Sequence, residues 1–160
     1  MAYWLAKSEP SVYSYGDLER ERRTEWNGVH NATALLHLKR MRPGDELLFY
    51  HSGSERSAVG IARVAGAPHP DPNDDRGSWS VVIEPSRALA RAVSLSEMRS
   101  DPALSDFILF RISRLSVMPV TSAQWKRILG AAGRAPPTQG KKAGSRSRSR
   151  VARPRKRGAT

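Results

Sequence analysis

Cysteine is absent from this 160-residue chain. That excludes disulfide staples, thiolate metal sites and cysteine nucleophiles, and it suits a reducing intracellular compartment. Long apolar runs are missing too. No stretch approaches the roughly 18 residues needed to cross a bilayer, and the opening MAYWLAKSEP lacks the apolar core of a secretory signal. A soluble, intracellular protein is expected, in the cytoplasm or nucleoid of a bacterium or the nucleus of a eukaryote. Catalytic signatures are scarce. No Gly-x-Ser-x-Gly elbow occurs, and His30 and His37 do not stand at the His-Glu-x-x-His spacing. The acids are dispersed, with no close pair for two-metal or acid–base chemistry; Asp71, Asp74 and Asp75 come nearest, in a loop where solvation is the plain expectation. No metal, cofactor or enzymatic activity is expected from such a distribution.

Acidic residues are also missing from one whole segment. The net charge is +12, from 27 basic and 15 acidic residues. Ten of the bases, and none of the acids, lie between Arg134 and Thr160, so the first 133 residues hold 17 bases against 15 acids and are nearly neutral. The high charge therefore belongs to the tail RAPPTQGKKAGSRSRSRVARPRKRGAT, which has no apolar periodicity. Such a segment cannot bury enough surface to offset its ordering entropy. The expected organisation is one folded unit over residues 1–132 and a disordered Arg/Lys-rich tail over 133–160. Arg146, Arg148, Arg150, Arg153, Arg155, Lys156 and Arg157 are the candidate phosphate-binding residues of that tail. The alternative use of its RPRKRG run is as a nuclear localisation signal.

The hydrophobic fraction is 39%, low for a chain packed throughout. Within the first 132 residues, patterning predicts strands at 3–6, 46–51, 58–65, 79–83 and 114–120. It predicts helices at 15–22, with Ser14 as cap, at 32–40 behind Asn31, from the Ser94–Glu97 capping box, and from Thr121 or Ser122 to Leu129. The Ser52–Ser57 loop makes a hairpin of the second and third strands. Short strands outnumber helices, which points to an α+β fold: a small, mostly antiparallel barrel with helices over its openings.

Three segments combine polar groups with aromatics at the edges of these elements: Lys7-Ser8-Glu9-Pro10, Trp26-Asn27-Gly28-Val29-His30-Asn31 and Leu48-Phe49-Tyr50-His51-Ser52. A nucleobase has a flat π-face that stacks on an aromatic plane and a polar edge that needs fixed donors and acceptors. Trp26 is the candidate platform, against the plainer use of anchoring its loop. Asn31 is a candidate for the base edge, although capping the next helix is the commoner use of Asn there. His51 and Ser52 end a strand where a pocket can open; a lone His there is commonly just a satisfied surface group. Lys7 is a candidate for phosphate and Ser8 or Glu9 for a base edge, unless they form only a solvated turn. Alternation places Phe49 in the core. Trp4, Trp79 and Trp125 lie in apolar patterns and are expected in the core.

In this order, YWLAKSEP, WNGVHN, RPGDELLFYHS and VGIARV, followed by PALSDFILFRISRLSVMPVTSAQWKRIL, resemble the EVE-domain family over about residues 2–131. The resemblance implies a PUA-like barrel related to readers of methylated adenine in RNA. It also implies a pocket for a flipped modified base, notably a modified cytosine, with Lys7, Ser8, Trp26, Asn31, His51 and Ser52 matching the family pattern. The chain departs from that pattern in Asn31-Ala32-Thr33-Ala34-Leu35-Leu36, where the family carries a Tyr-, Gln- and Arg-containing run, and in a short loop at 68–78. The expected function is a non-enzymatic nucleic-acid-binding module, on DNA or RNA, that holds a modified base while its tail contacts phosphates. The rivals are a PUA-like RNA-binding module without modified-base selectivity and a base-processing enzyme.

Overall fold

The structure, a computed structural model, describes residues 1–133. In chain order the elements are β1 (Tyr3–Ser8), α1 (Tyr15–Glu21), β2 (Thr24–Trp26), α2 (Ala32–Lys39), β3 (Glu46–His51), β4 (Ser57–Val64), β5 (His69–Pro70), β6 (Trp79–Ser94), α3 (Leu95–Arg99), a 3₁₀ turn (Pro102–Leu104), α4 (Ile108–Arg111), β7 (Val117–Val120) and α5 (Ser122–Ala132). The strands form one curled sheet in the order β2-β6-β4-β3-β1-β7, with β5 against β6. Every pairing is antiparallel except β1 with β3.

The parallel pair is pinned at its start by one buried carboxylate. Asp45, 5% exposed, accepts hydrogen bonds from the Ala2 backbone N–H (3.0 Å), the Trp4 indole N–H (3.0 Å) and the Arg42 backbone N–H (2.9 Å). These bonds tie the entry of β1 to the turn before β3 and set the register Tyr3↔Glu46 through Ser8↔His51. β3 is covered on both faces, so Leu47, Leu48, Phe49 and Tyr50 are all buried. The strict in–out alternation read from its sequence is therefore replaced by the continuous apolar run of a strand with two covered faces.

A close approach shapes the next layer. A Cβ on Gly60 would lie 2.5–2.7 Å from the ring carbons of Tyr15, so glycine lets β4 take that ring flat against its backbone. Burial pushes the Tyr15 hydroxyl up to about 12, and its proton is donated to the Ile61 carbonyl at 2.7 Å. Trp4 and Trp125 are in the core as expected, with Trp125 stacked on Tyr3 at 4.4 Å. Trp79 is only half-buried, with the Lys39 ammonium 4.9 Å above its ring.

The mostly antiparallel α+β architecture matches the expectation, and Ser14, Asn31, Ser94 and Thr121 each cap a helix. Three differences stand out. β1 continues through Lys7 and Ser8, so these residues sit on a strand and not in a turn. β6 runs to Ser94 and not to Ile83; Pro85 and the alanines after it disguise the strand, and Pro85 is tolerated because the β4–β6 register shifts between Ile61 and Ala62. The sheet is a half-barrel whose edges, β2 and β7, do not pair with each other.

Burial opposes ionisation of Asp45, but the N–H groups of Ala2, Trp4 and Arg42 and the N-terminal ammonium outweigh it and hold its pKa below the ordinary 3.8. A carboxylate depressed in this way stabilises the fold fully above its unfolded value, and that contribution disappears as pH falls through the lower folded value. Asp45→Ala is expected to lose about 3 kcal/mol at neutral pH, because three donors lose their acceptor. In urea denaturation the gap from wild type should narrow below about pH 4; a gap independent of pH would show that the charge of Asp45 is not what matters.

Candidate functional site

Where the half-barrel stays open, the end of β1 faces the short edge strand β2. β1 stops at a tight turn in which the Glu9 carbonyl accepts the N–H groups of both Val12 and Tyr13 at 2.9 Å. α1 then starts behind Ser14, whose hydroxyl accepts from the Asp17 N–H while the Asp17 carboxylate accepts from the Ser14 N–H. The helix ends on a left-handed Arg22 (φ 70°), which turns the chain into β2. Among the described residues β2 pairs with β6 alone, which leaves its other edge toward the gap.

A hollow of about 940 Å³ fills this gap, within the range of pockets that enclose small organic ligands. Its walls include Lys7, Ser8, Val12, Tyr13, Arg23 and Trp26. The floor is aromatic. The fully buried Phe49 ring meets Trp26 edge-on at 5.4 Å and 78°, and Tyr13 at 6.5 Å. Trp26 is half-buried: one part of the indole packs on Phe49 while the residue lines the hollow.

Polar groups around that floor are held in place. The Lys7 ammonium donates to the Ser113 carbonyl at 2.8 Å, and burial lowers its pKa. The Ser8 hydroxyl donates to the Tyr13 carbonyl, which leaves its lone pairs as acceptors. The Tyr13 hydroxyl donates to Glu21 at 2.8 Å; burial raises its pKa and keeps it a donor. Arg23, on the rim, pairs with Glu84 at 2.6 Å.

Of the residues singled out in the sequence, Trp26, Lys7, Ser8 and Glu9 line the hollow; Asn31, His51 and Ser52 do not. Asn31 is exposed and accepts the Ala34 N–H at 3.0 Å through its side-chain oxygen. His51 is 8% exposed and bridges two elements. Its Nε2 accepts the Tyr15 backbone N–H at 3.0 Å, so the ring proton lies on Nδ1 and is donated to Glu55 at 2.8 Å. His51 also meets Phe49 edge-on at 5.7 Å. The Ser52 N–H donates to the Ser8 carbonyl at 2.9 Å, extending the β1–β3 pairing by one residue. His51 thus packs behind the floor, while Asn31 caps the next helix and Ser52 extends a strand pairing. The candidate phosphate-binding residues Arg146, Arg148, Arg150, Arg153, Arg155, Lys156 and Arg157 lie outside the described residues.

Tyr13, Arg23 and Val12 were missed from sequence. The available signal was the paired tyrosines around Ser14: Tyr15 enters the core and Tyr13 the hollow. The loop expected to be solvated is largely exposed, with Asp75 among its exposed residues, but Asp74 is partnered. The Asp74 carboxylate accepts from His30 Nε2, and Arg76 donates to His30 Nδ1 at 3.0 Å. The Arg76 backbone N–H and His30 together lower the Asp74 pKa. Ser78 donates to the Val29 carbonyl at 2.7 Å, so the short 68–78 loop braces the segment that carries Trp26. Among the described residues no three His, Asp or Glu side chains gather as a metal would require, and no helix is long and apolar enough to cross a membrane.

Comparison with known proteins agrees with this geometry. The EVE-domain family model matches residues 2–131. Thymocyte nuclear protein 1 of Rattus norvegicus is 31% identical over 79% of this chain and 72% of its own length. The NMR structure of Rpa0253 from Rhodopseudomonas palustris is 40% identical and aligns with a TM-score of 0.79 over 83% of this chain and 94% of that one. Human THYN1 protein, solved in complex with 5-methylcytosine-containing DNA, is 26% identical and aligns with a TM-score of 0.77 over 85% of this chain and all of that one. The half-barrel is thus of the PUA-like kind.

Removing the buried ring behind Trp26 and Tyr13 should damage fold and hollow together. Phe49→Ala is expected to lose about 3–5 kcal/mol in urea denaturation. A loss under about 1 kcal/mol would show that Trp26, Tyr13, Tyr15 and His51 do not depend on that ring.

Proposed function

We infer that this chain, which belongs to the EVE-domain family, reads nucleic acid without chemical turnover, by taking one base, a modified cytosine first among them, into the hollow beside Trp26. The observation that carries this is the half-buried indole at an open seam of the sheet, packed on Phe49 and lining a hollow with ample room for a base. A base inside a duplex cannot reach such a plane, so it enters flipped or from a single strand. 5-Methylcytosine is the modification to test first, because human THYN1 was solved with DNA containing it.

The roles divide by position. Trp26 supplies the stacking face. The Ser8 lone pairs accept from the base edge, and the Lys7 ammonium, with protons beyond the one given to Ser113, donates to the base or its phosphate. Asn31, His51 and Ser52 act through the segments they hold. The tail, through Arg146, Arg148, Arg150, Arg153, Arg155, Lys156 and Arg157, adds phosphate contacts that do not depend on sequence and raises local concentration. The pocket selects and the tail retains.

Trp26→Ala should weaken binding of an oligonucleotide carrying 5-methylcytosine by roughly 5- to 150-fold, the value of one aromatic–base stack, measured by fluorescence anisotropy. Equal affinity of both proteins for modified and unmodified strands would remove the pocket from the account and leave a PUA-like module that binds RNA or DNA without regard to modification. Deleting residues 134–160 should make the plot of log K against log salt shallower, by about 0.7–0.9 for each phosphate that the shortened protein no longer neutralises; an unchanged slope would show that the tail does not touch phosphate.

A further inference from the structure

One carboxylate in the hollow has a place made for it. Glu9 lines the hollow together with Lys7, Ser8 and Trp26. Its backbone is fixed by the two N–H groups its carbonyl accepts. Its side chain lies over Gly53, where a Cβ would fall 2.7 Å from both carboxylate oxygens. Gly53 has φ +75°, so both its backbone and its missing side chain suit the glycine. The loop between β3 and β4 is thus shaped to seat this carboxylate.

Its neighbour Glu25 offers a contrast. Glu25 also lines the hollow, but its carboxylate accepts from the Ser80 hydroxyl and lies 3.2 Å from His69 Nε2. Among the described residues no donor reaches the Glu9 carboxylate. Lys7 lines the same hollow, yet its ammonium is directed to the Ser113 carbonyl. The lining of the hollow thus includes an acceptor-only side chain and a separate donor-only side chain besides Trp26.

That arrangement discriminates among bases. A carboxylate accepts from an exocyclic amine, the N4 amine of cytosine or the N6 amine of adenine, and an ammonium donates to the ring nitrogen or carbonyl beside it. Thymine and uracil carry a carbonyl where cytosine carries the amine, which sets acceptor against acceptor. We propose that Glu9 is a specificity-determining residue that selects amine-bearing bases, of cytosine or adenine type, and rejects their keto counterparts. For a 5-methylated pyrimidine this is the group that separates 5-methylcytosine from thymine, which has the same methyl group and differs at C4 and N3. The inference rests on the base-pocket function proposed above.

The test uses the full chain and oligonucleotides whose single base, 5-methylcytosine, cytosine, adenine, thymine or uracil, is flanked by abasic sites, read by anisotropy. The backbone is then constant and only the base varies. Wild type should prefer 5-methylcytosine to thymine, and cytosine to uracil, by roughly tenfold or more, the value of one good base-edge contact. In Glu9→Gln, which keeps the shape and adds a donor, that ratio should fall to within about twofold, chiefly because thymine binds better. The cytosine and adenine strands show whether the amine belongs to a pyrimidine or a purine. Circular dichroism and thermal melting should match wild type, because Glu9 is exposed. If Trp26→Ala weakens every strand while Glu9→Gln keeps the wild-type ratio, the pocket stands and the role of Glu9 is overturned. No amine preference in wild type overturns it as well. If Trp26→Ala changes nothing, the pocket and this inference fail together.

Discussion

The ring of Phe49 is the contact on which the candidate site depends. It is wholly buried, yet four rings meet it: Tyr13 and Tyr15 at the start of α1, Trp26 of β2, and His51 of its own strand. Tyr15 fastens α1 to β4, His51 fastens the end of β3 to the start of α1, and Trp26 and Tyr13 carry the same packing out to the hollow. Close-packed interiors transmit displacement, so the platform inherits the rigidity of the core although it stands at an edge. A stacking surface with few ways to move loses little entropy when a base settles on it.

The hollow itself follows from an incomplete closure. A sheet edge is a liability unless it is covered, charged or kept short. β2, one of the two edges, has only three residues, and Arg23 and Glu25 stand on or beside it. The gap between β2 and the β1–β7 side is left to polar and aromatic side chains. The parallel β1–β3 pair, locked by Asp45 at its start, delivers Lys7 and Ser8 to that gap at its end. One strand pairing thus links a structural anchor to a binding wall.

Local signals in the chain were readable where the physics is local. Cap residues act on N–H groups three residues away, so Ser14, Asn31, Ser94 and Thr121 announce their helices. The Glu46–His51 strand and its hairpin partner are equally plain, being apolar runs separated by a polar loop. Of the hollow's lining, Trp26, Lys7 and Ser8 were named from sequence because polar groups stand beside aromatics at the edges of elements there, although loop anchoring and solvated turns are plainer uses of the same residues. His51 and Ser52 looked like pocket residues for the same reason, but their partners, Tyr15 and Ser8, lie 36 and 44 positions away. The C-terminal half of β6 was hidden because a proline and several alanines conceal a strand whose bulge is set by its neighbour β4.

What the chain determined alone was composition and local order: a cysteine-free, nearly neutral folded unit, ten basic residues beyond it, helix starts, turns and the apolar strands. Those depend on interactions within a few residues or on sums over the whole chain. What only the tertiary structure decided was which side chains share a space. It brought Tyr13 into the same lining as Trp26, kept Asn31, His51 and Ser52 out of it, and left the sheet open between β2 and β7. The reason is that a hollow is the space left between elements far apart in sequence. Its lining is set by strand register and by close approaches such as Gly60 on Tyr15 and Gly53 on Glu9, which appear only once the chain has packed.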